Sequence, residues 1–152
     1  MNANAANNYL RAKVLTATPE QLQMMLFDGA IRFGEQGRAA LLNKRFDESF
    51  EAINRFQKIV LELRCTLRHE VYPELCERLA AIYTYVYKKL VEANVEHNID
   101  ALDEALKLMK YQRDTWAMLL EKLAREKAAK AAVGIDMPAP SERMEASLSV
   151  QG

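Results

Sequence analysis

Residues 18–42 read TPEQLQMMLFDGAIRFGEQGRAALL, and this stretch decides the fold. Its opening, Thr18-Pro19-Glu20-Gln21, is a helix start. The Thr18 hydroxyl suits a cap, Pro19 suits the first helical position because its missing N–H would be unpaired there, and Gln21 closes a capping box. Behind it Leu22, Leu26, Gly29, Phe33, Gly37 and Ala40 recur at steps of three and four, which gathers them on one face. The spacing predicts a helix from about Pro19 to Leu42. Glycine costs about 1 kcal/mol relative to alanine inside a helix, so Gly29, Gly34 and Gly37 need a reason. Two are open: close approach of a neighbouring helix, or room for a bound peptide.

Beyond this stretch glycine disappears, with none from Arg38 to Val133. A β-rich domain needs glycine-bearing turns every 8 to 12 residues or so, so helices with short connections remain. Asn43-Lys44-Arg45 is a polar break and Asp47 a suitable cap. A second helix follows with Phe50, Ile53, Phe56, Val60, Leu63 and Leu67 in one stripe. It ends before Pro73, since the residue preceding proline avoids the helical region. Pro73 opens a third helix with two stripes. One is Leu75, Leu79, Ile82, Val86 and Leu90; the other is Cys76, Ala80, Tyr83, Tyr87 and Val91. This helix fades near Asn94. Asn98 or Asp100 caps a fourth, striped by Leu102, Leu106, Met109, Trp116, Leu120 and Leu123.

Four similar helices joined by short connections predict an all-α fold, an antiparallel up-down four-helix bundle over residues 18–130. Residues 1–17 form a short N-terminal cap segment. Residues 131–152, with Gly134, Pro138, Pro140 and scattered apolar side chains, offer no face to bury and read as a disordered, flexible tail.

Charge excludes several functions. Lys plus Arg equals Asp plus Glu at 21 each, and residues 1–76 carry 10 basic and 9 acidic side chains. No strongly basic face follows, so nucleic acid is not indicated as a partner. The apolar runs fall far short of the roughly 20 residues of a membrane span, and the start, MNANAANN, lacks the features of a secretory signal. Two cysteines make no disulfide framework, so a reduced, cytoplasmic chain is expected.

Catalytic and metal chemistry lack their residues. Di-iron bundles use Glu-x-x-His, but the positions three before His69 and His97 hold Thr66 and Asn94. Cys65 and Cys76 fall around one turn and would reach a metal only with His69; buried small hydrophobes are the commoner role. No nucleophile has a marked base beside it. The chain therefore reads as a binding protein and not an enzyme, with no cofactor and no metal. A histidine phosphotransfer module using His69 or His97, or a self-associating bundle adaptor, is the alternative.

Met24, Met25, Met109 and Met118 fall on the first and fourth helices, and methionine recurs on surfaces that accept apolar helices as well as in cores. Tyr83, Tyr85 and Tyr87 diverge by about 200° at each step of two, so they cannot share one core. At least one belongs at a surface or groove. Recognition of an amphipathic helix in a groove fits these features, and so does a homodimer interface.

The stretch Leu15 to Phe33 closely resembles the opening helix of the flagellin-specific export chaperones, the FliS family. The family's leucine-tyrosine-aspartate-glycine-alanine core stands here as Leu26-Phe27-Asp28-Gly29-Ala30, with Phe27 in place of tyrosine. Further matches are Leu90-Val91-Glu92-Ala93-Asn94 and Arg113-Asp114-Thr115-Trp116, with Tyr83 and Tyr85 also fitting. Together they span roughly Tyr9 to Leu123. The connection Val71-Tyr72-Pro73 departs from a commonly glycine-bearing one, and the tail exceeds the family core. The resemblance implies a cytoplasmic bundle that binds the C-terminal region of flagellin, prevents premature polymerisation, and keeps it ready for the flagellar type III export gate. It also implies an N-terminal segment able to occupy the client cleft. Tyr9, Leu10, Val14 and Leu15 suit such a displaceable plug, or equally packing on the bundle end. The expected flagellin contacts are these four with the groove-edge residues Met25, Ile53, Gln57, Val60, Tyr83 and Tyr87.

Overall fold

The computed structural model describes residues 2–134, which form five α-helices and no strand. They are α1 (Asn2–Thr16), α2 (Pro19–Leu42), α3 (Phe46–Cys65), α4 (Pro73–Glu96) and α5 (Ile99–Val133). The chain divides into two units, residues 1–117 and 118–152.

In the first unit α2 to α5 make an antiparallel four-helix bundle. Local chemistry sets the helix starts. The Thr18 hydroxyl accepts from the Gln21 N–H at 3.2 Å while the Gln21 side chain accepts from the Thr18 N–H at 3.0 Å, a complete capping box. Pro73 opens α4. Asn98, and not Asp100, caps α5, its Oδ1 accepting from the Ala101 N–H at 3.1 Å. Asp47 is no cap: α3 begins at Phe46 after Arg45, without a side-chain cap, and Asp47 lies in the first turn, where its charge favours the helix dipole. The turns manage without glycine because Lys44 (φ 56°) and His97 (φ 51°) take the left-handed conformation themselves. The His97 ring stacks on Phe46, with centroids 4.0 Å apart, and so ties the α2–α3 turn to the α4–α5 turn.

The bundle closes as a ring of neighbours. Arg38 pairs with Asp103, Lys110 with Glu35 and Arg113 with Asp28, and the Trp116 indole N–H donates to the Glu20 carbonyl at 3.1 Å. As numbers rise along α2 they fall along α5, so these helices are antiparallel. Asn94 donates to Asn54 between α3 and α4, and Lys89 meets Glu104 between α4 and α5.

The core is apolar and close-packed, built from Phe27, Ile53, Phe56, Val60, Leu63, Val86, Leu90, Leu102 and Met109 with their neighbours. The glycines of α2 face it. A Cβ on Gly34 would collide with Leu106 and lie 2.8 Å from Phe56, one on Gly37 would lie 3.0 Å from Ile53, and one on Gly29 would lie 3.3 Å from Ile59. Side chains of α3 and α5 thus fill the space that the glycines leave, and close helix approach is their use.

Four expected stripes are broken. Phe50, Leu75, Val91 and Leu123 are exposed, and Leu67 lies beyond the end of α3. Within the expected N-terminal cap segment, residues 2–16 form a helix, and α5 continues three residues past Lys130. The rest of the expected tail lies outside the described residues. In the second unit, residues 118–133 are helical, with an Arg125–Glu121 pair one turn apart.

Candidate functional site

Helix α4 carries the feature that organises the surface: Tyr83 and Tyr87, one turn apart, leave it on one side, and Tyr85 leaves it on the opposite side. Tyr83 is in the core, where burial pushes its phenol up to about 12. Tyr87 is half-buried and Tyr85 exposed. Tyr85 and Tyr87 border two different grooves.

The first groove is the seam between α3 and α4. On α3 Phe50, Asn54, Gln57 and Leu61 fall within about 60° of arc, as do Tyr87, Val91 and Asn94 on α4. The Asn94 Nδ2 donates to Asn54 Oδ1 at 3.3 Å, which brings the two faces together. Phe50 at 56%, Leu61 at 44% and Val91 at 40% exposure stand beside this polar bridge. An exposed run of large apolar side chains along one seam marks a contact surface.

The second groove lies between α4 and α5. It is lined by Ala81, Ile82, Tyr85, Glu104, Lys107 and Leu108 and holds about 440 Å³. The Tyr85 hydroxyl donates to the Glu104 carboxylate. That bond raises the phenol's pKa and lowers the carboxyl's. Lys89 sits 5.6 Å from the centre of the Tyr85 ring and reaches both Glu92, at 3.2 Å, and Glu104, at 3.6 Å. The network fixes the tyrosine as a wall of the groove, with the apolar Ile82 and Leu108 between the polar side chains. Tyr111, one turn after Lys107 on α5, is exposed.

The residues expected from sequence to touch a client divide into three groups. Tyr87 borders the α3–α4 seam, Gln57 faces the same seam but is buried, and Met25 is half-buried on α2. Ile53, Val60 and Tyr83 lie in the core. For these three, a place on a groove edge is corrected to the bundle interior, because α3 and α4 each turn their most apolar line toward the other helices. Tyr9 at 72% and Leu15 at 75% exposure, with Leu10 and Val14 also exposed, occupy no cleft and pack on no bundle end. The segment is helical and turns these side chains to solvent.

Sequence reasoning missed Tyr85 as a groove wall, together with its partner Glu104 and the lining Ile82, Lys107 and Leu108. Equal spacing from the turn does not reveal the pair: Tyr85 lies 11 residues before the end of α4 and Glu104 only 5 after the start of α5. Neither histidine stands on a helix face. His69 is in the α3–α4 turn, and His97 ends α4. Cys65 is exposed and Cys76 buried, and among the described residues no cluster of three His, Cys, Asp or Glu side chains would hold a metal. No described helix is long and apolar enough to cross a membrane.

The family profile described as "Flagellar protein FliS" matches residues 2–123, which takes in the whole bundle and both grooves. This chain belongs to the FliS family. Relatives named flagellar secretion chaperone FliS include that of Bacillus subtilis, 30% identical over 78% of this chain and 87% of that protein. The Campylobacter jejuni relative is 29% identical over 76% and 90%, and that of Escherichia coli 30% over 70% and 79%. A crystal structure of a flagellar chaperone from bacteria shares the fold. Its TM-score is 0.64 at 16% identity, with 80% of this chain and 99% of that one covered. FliS proteins are chaperones of flagellum biogenesis and not enzymes.

Proposed function

We propose that the chain is a cytoplasmic chaperone that binds the C-terminal region of flagellin, prevents premature polymerisation, and keeps it competent for flagellar type III export. The observation that carries this reading is the pair of grooves flanking α4. Between them they offer Phe50, Leu61, Val91, Tyr85, Ile82 and Leu108 along two tracks, in a chain of the FliS family. Apolar tracks with a few fixed polar groups suit the apolar faces of amphipathic helices. A client segment that becomes ordered only on binding loses entropy as it does so, and affinity stays moderate for the area covered. That suits a carrier which must let go at the export gate.

Titration calorimetry of the full chain with the C-terminal segment of its own organism's flagellin tests the proposal. Binding at micromolar concentration is expected. No heat at tens of micromolar, well above the μM range of specific partners, overturns it.

A further inference from the structure

The charges along the α4–α5 groove are sorted by height. At the end near the α4–α5 turn stand the acids Glu92, Asp100 and Glu104. Asp100 precedes Glu104 by one turn on the same strip of α5. Lys89 is the cation there, and it is engaged with both Glu92 and Glu104. Toward the other end stand Lys107, a lining residue, and Arg78, one turn before Ile82 on α4, with the single acid Glu74 a further turn away on the same strip. Among the described residues neither Arg78 nor Lys107 has an ion-pair partner, and Lys107 adds only a lesser pull on Glu104. The groove is therefore acidic near the turn and carries unspent positive charge away from it. The helix dipoles of α4 and α5 oppose each other, so side chains set this gradient.

We propose that the α4–α5 groove accepts a partner's amphipathic helix in one direction only, with its N-terminus toward Asp100 and acidic side chains near its C-terminus facing Lys107 and Arg78. A helix carries partial positive charge at its N-terminus and partial negative charge at its C-terminus, and complementary charge fixes orientation more than it adds affinity. Ile82 and Leu108 take the apolar stripe, and the Tyr85 ring, pinned by Glu104, bounds it. This direction of entry deepens the client reading above. It rests on that reading only for the identity of the partner.

The test uses the full chain and two synthetic peptides of roughly 18 residues with one apolar stripe at helical spacing. They share the same composition, one with glutamates in its last two turns and the other with the charge order reversed. By calorimetry, the first is expected to bind about tenfold tighter. A spin label on its N-terminus is expected to broaden the NMR signals of Asp100 and Ala101, and not those near Arg78. Equal affinities, a preference for the reversed peptide, broadening at the Arg78 end, or no binding of either peptide below ~100 μM would each overturn the inference. Arg78→Glu with Lys107→Glu is expected to abolish or invert the preference, and Arg78→Gln with Lys107→Gln to abolish it, circular dichroism remaining unchanged. A preference that survives these changes also overturns the inference. Should flagellin's segment fail to bind while the peptides are still discriminated, the partner's identity falls and the groove's polarity stands. The converse result removes the polarity alone.

Discussion

The Arg113 guanidinium donates through Nε to Asp28 Oδ1 at 2.9 Å, joining two positions 85 residues apart. Each lies in a segment that carries the family resemblance, Leu26–Ala30 on α2 and Arg113–Trp116 on α5. Next to this contact, Trp116 donates to the Glu20 carbonyl in the first turn of α2. The two segments are thus one junction that fixes the register of α2 against α5. The pair is half-exposed, which limits its energetic weight. Asp28→Ala is expected to cost little, because solvent screens an exposed ion pair, and urea unfolding reads the effect. Trp116→Ala, which also removes apolar packing against the core, is expected to cost about 3 kcal/mol or more. An equal cost for the two would place the weight of the junction on the ion pair.

The glycines of α2 should respond unequally to a methyl group. Gly34→Ala forces the added carbon into Leu106 and Phe56, and overpacking typically costs 1–3 kcal/mol. Gly29→Ala meets only the end of the Ile59 side chain and gains helix propensity of about 1 kcal/mol. Thermal unfolding is expected to show Gly34→Ala destabilised and Gly29→Ala neutral or stabilised. The reverse order would contradict the packing described for α2.

Lys44 and His97 hold left-handed backbone that costs an ordinary residue roughly 1–2 kcal/mol. Lys44→Gly is expected to stabilise the chain by up to about 1 kcal/mol, part of the gain being offset by the greater freedom of glycine in the unfolded state. His97→Gly removes the same strain but also loses the stack on Phe46. It should gain less, and denaturant midpoints compare the two directly.

Alkaline pH should weaken the fold through Tyr83. Its phenol is raised from 10.0 to about 12 in the folded state. Between these values the unfolded chain has lost the proton and the folded chain keeps it, so stability falls as pH rises from about 10 to about 12. Tyr83→Phe is expected to flatten this part of the stability profile. An unchanged slope would assign the alkaline loss to other groups.

Surface and core positions along α3 and α4 should separate cleanly. Leu61→Ala and Val91→Ala are expected to leave stability within about 0.5 kcal/mol while weakening the binding of the flagellin segment about tenfold, or 1.4 kcal/mol. Ile53→Ala should cost 2–5 kcal/mol in stability, with any loss of binding following the loss of fold. Unfolding curves measured beside the calorimetry distinguish these outcomes.

This division is also where sequence reading reached its limit. The capping box of Thr18 and Gln21 was legible because all its partners lie within four residues. The bundle was legible because four amphipathic segments with short connections have few ways to pack. Phe50 and Ile53, three residues apart, looked equivalent as members of one stripe. What separates them is which neighbouring helices stand opposite, and no local pattern carries that. Tyr85 and Glu104 meet only once the register of α4 against α5 is set. The helix of residues 2–16 was missed because its apolar side chains do not gather into a face that would announce it.

The three tyrosines of α4 have a kinetic consequence. Because Tyr85 and Tyr87 border separate grooves on either side of one helix, a client seated in both is held at two anchors joined by its own chain. Loss of one anchor leaves the other in place, at a high effective concentration for rebinding. Such a client peels away in stages. Under the proposed function, a receiver that captures one freed piece before it can return would draw the remainder off, so two individually weak grips would combine long residence with quick surrender at the point of delivery.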